Sequence, residues 1–156
     1  MITLELETAE FNKALIEFIK KSDLSTDVII RKTALDLLAN ILRPEPYGRH
    51  PVDTGRARSG WYMAAQGLGM SFSDQGNNPA AITEGKASGG FAEHLKGYLE
   101  KYVELVNAVD YILFLEYGYS QAAPAGMVRI SMRKMTGKMP EALTAEFLKD
   151  WNQVGL

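Results

Sequence analysis

NAVDYILFLEYGYSQAAPAGMVR, running from Asn107 to Arg129, is the stretch from which the rest of the chain is read. Tyr111, Phe114, Tyr117 and Tyr119 supply aromatic side chains, and Ala122-Ala123-Pro124-Ala125-Gly126 forms a small-residue turn. Val109, Ile112, Leu113 and Leu115 fall on both sides of any helix here, which predicts a buried segment. Glu116 lies within it, and a carboxylate so placed is costly unless paired or hydrogen-bonded. One reading is a partly exposed helix end with Gly118 as its C-terminal stop. The other is a contact surface, because Tyr111, Phe114, Tyr117 and Tyr119 are residue types that carry interface energy.

Upstream, a second motif reads His50-Pro51-Val52-Asp53-Thr54-Gly55-Arg56-Ala57-Arg58. Asp53 can accept backbone amides in an Asx-type turn, and Gly55 can take a positive φ. Arg49, Arg56 and Arg58 read either as a basic patch facing DNA or an acidic neighbour, or as turn chemistry with solvated arginines. Pro51 to Arg56 (PVDTGR) and the later run Glu116-Tyr117-Gly118, Pro124-Ala125-Gly126-Met127-Val128-Arg129 lie about sixty residues apart. In that order they resemble the neck and tail-completion proteins of long-tailed bacteriophages, over roughly residues 25–135. The resemblance implies a structural virion protein at the head–tail junction, present in the host cytoplasm during assembly. It would form a homo-oligomeric ring, a hexamer or dodecamer, around the DNA channel. Its partners would be neighbouring connector and tail proteins, and DNA would pass through without tight binding. A tail terminator or minor tail component is the alternative within the same fold, and a small acidic hydrolase the alternative outside it.

The whole sequence of 156 residues, 46% hydrophobic and 23% charged, fits one globular domain over 1–156. It contains no cysteine, so neither a disulfide framework nor a thiolate metal site is open to it. The start, MITLELETAE, is acidic and unlike a signal peptide. No apolar run approaches a membrane span. A net charge of −2 argues against gripping nucleic acid by its phosphates.

In chain order, the 2–7 alternation predicts a strand. Phe11, Ala14, Leu15, Phe18 and Ile19 predict a helix near 9–21, broken at Ser22 to Ser25. Ile30, Ala34, Leu37, Leu38 and Ile41 predict a second, central helix over 26–42, stopped by Arg43-Pro44. Trp61, Met63 and Ala65 alternate as a strand over 59–66, which continues over 68–73 or turns back there. The glycine-rich 67–90 region predicts a flexible loop, mobile over 73–90 until assembly. Phe91, Leu95, Tyr98, Leu99 and Tyr102 predict a helix over 90–101, and 103–109 a strand. Met127–Met135 fits strand or helix spacing, and the resemblance selects helix. Leu143, Phe147, Trp151 and Val154 predict a last amphipathic helix. The expected fold class is α+β, a small antiparallel sheet packed against N-terminal helices and a C-terminal helix.

Chemistry-bearing constellations are sparse. His50 and His94 are far apart and lack zinc-site spacing. The glycines of 67–90 lack the phosphate-loop pattern. Asp110 and Glu116 are the acids embedded in an apolar run, and nothing beside them positions a substrate. The expectation is no catalytic residue, no metal and no cofactor.

Overall fold

A computed structural model of the chain describes residues 9–43, 50–96, 100–118 and 126–135, together with Lys149. The chain divides into two compact units, residues 1–29 with 138–156 and residues 30–137. The strand expected over 2–7 and, apart from the helical Lys149, the helix expected over 143–154 lie outside the described residues. The fold class is α+β: helices with a two-stranded antiparallel sheet.

The first helix, α1, spans Ala9–Leu42 as one element. The break expected at Ser22 to Ser25 is absent. No glycine or proline occurs between Ala9 and Leu42, and serine or aspartate in a helix interior costs no more than about 0.7 kcal/mol each. Cap residues without a breaker do not end a helix. In the second unit, Ala34, Leu38, Ile41 and Leu42 are buried along one stripe of α1, as the periodicity predicts.

Residues expected as a strand over 59–66 instead form two short helices, α2 (Arg56–Ser59) and α3 (Tyr62–Gly67). Trp61, Ala64 and Ala65 are buried while Met63 is exposed. That is helical spacing carried by two alanines, which a count of large apolar residues passes over. Residues 70–75 run without regular pairing, so no strand forms over 68–73. Within the expected 67–90 loop, Pro79–Ala87 forms a helix, α4, which packs on α2. Asn78 accepts the Ala81 amide at 3.1 Å and Pro79 occupies the first turn, a start signal that Asn-Pro carries.

The helix expected over 90–101 is also corrected. Gly89–His94 forms strand β1, antiparallel to β2 (Tyr102–Asn107), with Phe91 opposite Leu105 and His94 opposite Tyr102. His94 and Tyr102 stack across the strands with ring centroids 4.4 Å apart. The Phe91 ring lies over Gly67, where any Cβ would collide with it. Two short helices close the described chain, α5 (Ile112–Glu116) and α6 (Val128–Met135).

The core gathers Leu38, Ile41 and Leu42 of α1, Trp61, Ala64 and Ala65, and Met127, with Leu105, Ile112, Leu115 and Val128 packed against them. No described helix is long and apolar enough to cross a membrane.

The helical spacing of 61–65 is directly testable. Met63→Ala removes an exposed side chain and is expected to change stability by less than about 0.5 kcal/mol. Ala64→Leu overfills a fully buried position and is expected to cost about 1–3 kcal/mol. Urea unfolding of both variants checks this, and a large cost at Met63 would restore the strand.

Candidate functional site

Glu116 ends α5, and its carboxylate reaches the start of α6. Oε2 accepts the Met127 and Val128 amides, each at 2.8 Å, and Oε1 accepts the Arg129 amide at 2.8 Å. The Arg129 guanidinium donates from Nε to Oε1 at 3.2 Å and from Nη2 to the Glu116 carbonyl oxygen. The first free amides of a helix are thus satisfied by a charge placed where the helix dipole favours it. Burial works to raise the Glu116 pKa, but the three amides and Arg129 outweigh it and hold the carboxyl below the usual range. Gly126 has φ 76°, and a side chain there would strike the Glu116 carbonyl oxygen. Gly118, with φ 80°, follows α5 as the expected stop.

The PVDTGR segment is stapled to residues 75–78. The Asn77 amide donates to the Asp53 carbonyl at 3.2 Å and the Asn78 amide to that of Thr54 at 3.3 Å. Gly55 takes its expected positive φ, 93°, and a side chain there would also meet the Gln75 carbonyl oxygen. The turn hydroxyl belongs to Thr54, whose Oγ1 accepts the Arg56 amide at 3.4 Å, while Asp53 Oδ1 meets Asn77 Nδ2 at 3.5 Å. Arg56 pairs with Asp110 at 3.0 Å and Glu84 at 3.1 Å. Arg58 is buried, donates to the Ser73 carbonyl at 2.8 Å and lies 4.7 Å from the Phe72 ring centroid. Neither arginine is solvated turn chemistry, and neither is free for phosphates. Arg49 lies outside the described residues.

The two motifs meet. Pro51, Asp53, Thr54, Gly55 and Arg56 line an open groove of about 590 Å³ together with Tyr111 and Leu115 of the later stretch. Val52 is exposed beside it. Asn107, which no sequence pattern singles out, ties the halves together: its side chain donates to the Ala57 carbonyl at 2.8 Å and accepts the Val109 amide at 3.2 Å. An asparagine ending a strand carries no signal of such a role.

The expectation that 109–115 is wholly buried is corrected. Val109 is buried and Ile112 and Leu115 pack on the core, but Leu113, Phe114 and Tyr117 are 61%, 62% and 61% exposed. They form a ridge on α5, with the Arg129 guanidinium 5.0 Å from the Tyr117 ring centroid. Of the expected aromatic surface, Tyr111 instead lies half-buried beside Arg56, with 5.8 Å from guanidinium to ring centroid. Tyr119, Pro124 and Ala125 lie outside the described residues. Asp110 and Glu116 bond to different partners and do not form a carboxylate pair. Among the described residues, no group of three or more His, Asp or Glu is placed to hold a metal ion.

No protein-family model matches the chain, and no curated protein or solved structure matches it either.

Two stability tests follow from these contacts. Glu116→Gln leaves one acceptor oxygen facing three amides, and is expected to cost about 2 kcal/mol by urea unfolding; an unchanged midpoint would show that α6 holds its place without the carboxylate. His50 is buried, its Nε2 unpartnered, and desolvation lowers its pKa to about 4. The unfolded chain takes up this proton near 6.5 and the folded chain only near 4, so stability falls with falling pH across that window. The expected loss between pH 7 and pH 5 is about 2 kcal/mol. His50→Gln should flatten that dependence, and an identical slope in wild type and variant would assign the proton elsewhere.

Proposed function

We propose that the chain is a structural subunit of the bacteriophage head–tail junction, a neck or tail-completion protein that assembles as a ring around the DNA channel. In this reading it sits in the virion, contacts connector and tail proteins, and lets DNA pass without tight binding. The observation that carries the reading is the meeting of the two motif segments. Residues 51–56 and the 107–129 stretch resemble such proteins when taken together and in that order, and here Tyr111 and Leu115 of the later stretch line one groove with the first motif, with an apolar ridge beside it. Large exposed apolar side chains grouped on one short helix mark a contact surface rather than a lone domain's surface.

The charge arrangement supports the channel part of the reading. The net charge is −2, and the cations of the first motif are already engaged, Arg56 by Asp110 and Glu84 and Arg58 by the Ser73 carbonyl. A surface past which DNA slides needs no phosphate-gripping cluster.

Negative-stain microscopy and light scattering on the purified chain test the proposal. Closed rings of uniform size with a central opening are the expected result. A monomer that persists at the highest attainable concentration, with no association with connector or tail particles, would sink it.

A further inference from the structure

Resting on the ring reading, we propose that successive copies of this chain join head to tail, the α5 ridge of one copy seated in the groove of the next. Both surfaces draw on one short segment, α5 with its flanking Tyr111 and Tyr117. At 3.6 residues per turn, Tyr111 and Leu115 share one side of α5 and face the groove, while Leu113 and Tyr117 fall on roughly the opposite side. A knob and a hole on opposite sides of one element cannot both engage in a two-fold pair. They join copies in series, and such a head-to-tail series closes into a ring where its rotation divides a full turn without a rise.

The groove suits the ridge in size and polarity. Its volume of about 590 Å³ lies in the range of pockets that bury a bulky group, roughly 300–1,000 Å³. Pro51, Ala57, Ala81, Leu115 and the Tyr111 ring give it apolar walls, matched to Leu113, Phe114 and Tyr117. The charges are complementary as well. The groove rim carries Asp53, exposed, with Glu84 and Asp110 whose side chains are 65% and 72% exposed, against the single arginine Arg56. The ridge is flanked on α6 by Arg129, 51% exposed, and by Arg133, exposed one turn further on. Opposite rim charges of this kind set register and exclude wrong partners more than they add affinity.

The occupant is therefore a second copy of this chain, and two complementary variants test it. Leu113→Ser with Tyr117→Ser removes the ridge residues opposite the groove and leaves the groove; Asp53→Arg with Ala81→Arg blocks the groove and leaves the ridge. Each variant alone should run as a monomer with a cooperative thermal transition. Mixed, they should form a one-to-one complex of twice the monomer mass and grow no further, since the remaining ridge and groove of that complex are both disabled. In one chain, Asp53→Arg with Arg133→Asp should assemble at least tenfold more tightly than Asp53→Arg alone. If the wild-type chain forms rings and either surface variant does so equally well, the ring reading stands and this contact is wrong. The contact is equally wrong if the two folded variants stay monomeric when mixed. If the wild-type chain never self-associates, this contact is wrong, and the ring reading falls with it when the chain also fails to associate with connector or tail particles.

Discussion

The carboxylate of Glu116 on the amides of Met127, Val128 and Arg129 is the contact on which the functional face depends. Helix α6 has only eight residues, too few to be stable by itself in water. Its position comes from two anchors at its start, the buried Met127 side chain and the Glu116 clamp. Ser131 adds a local one, its hydroxyl donating to the Met127 carbonyl at 2.7 Å. The clamp works in both directions. By gripping α6, Glu116 also fixes the end of α5, and with it the direction in which Leu113, Phe114 and Tyr117 project. Arg129 completes the arrangement by holding the Glu116 carbonyl and lying over Tyr117.

A second constraint is close backbone approach around α2. This four-residue helix has no stability of its own, yet several elements converge on it. Gly85 of α4 packs where any side chain would strike the Arg56 carbonyl oxygen. The Asn107 amide takes the Ala57 carbonyl, and Gly60 leaves the space that the Asn107 side chain occupies. The Ala57 carbonyl of this short helix thus finds its partner from the end of β2, while those of Arg56 and Arg58 accept the Gly60 and Trp61 amides.

What could be read from the chain follows from how each signal is encoded. Long periodic patterns read correctly: the buried stripe of α1 from Ala34 to Ile41, the alternation of β2 and the glycine after α5. Patterns carried by small residues did not. Ala64 and Ala65 bury one face of α3 but look neutral beside Trp61 and Met63. Phe91 and Leu95 match helical spacing, yet Gly89 lets the chain pass against the Gly60 carbonyl oxygen, and the strand pair that starts there lays the Phe91 ring over Gly67. The site was half legible. Both motif segments stood out, and Gly55, Gly118 and Glu116 were singled out for physical reasons that the geometry bears on directly. That the segments share a groove was not legible, because the link runs through Asn107 and α2, whose residues carry no periodicity.

The arginines of the first motif show why charge is a poor guide to this surface. Arg58 sits almost wholly buried with a carbonyl oxygen and an aromatic face for company, and burial lowers its pKa while Asp74 opposes that shift. A guanidinium tolerates such a place because its charge is delocalised and weakly hydrated. Arg56 is spent on Asp110 and Glu84, which ties the motif turn to α4 and to the start of α5. Arg56 therefore shapes the groove from within while Arg58 is engaged behind it, and the wall the groove offers outward is apolar with an acidic rim. A partner fitting that wall must bring bulky apolar side chains flanked by positive charge, and α5 with the adjoining turn of α6 carries that combination on the same chain.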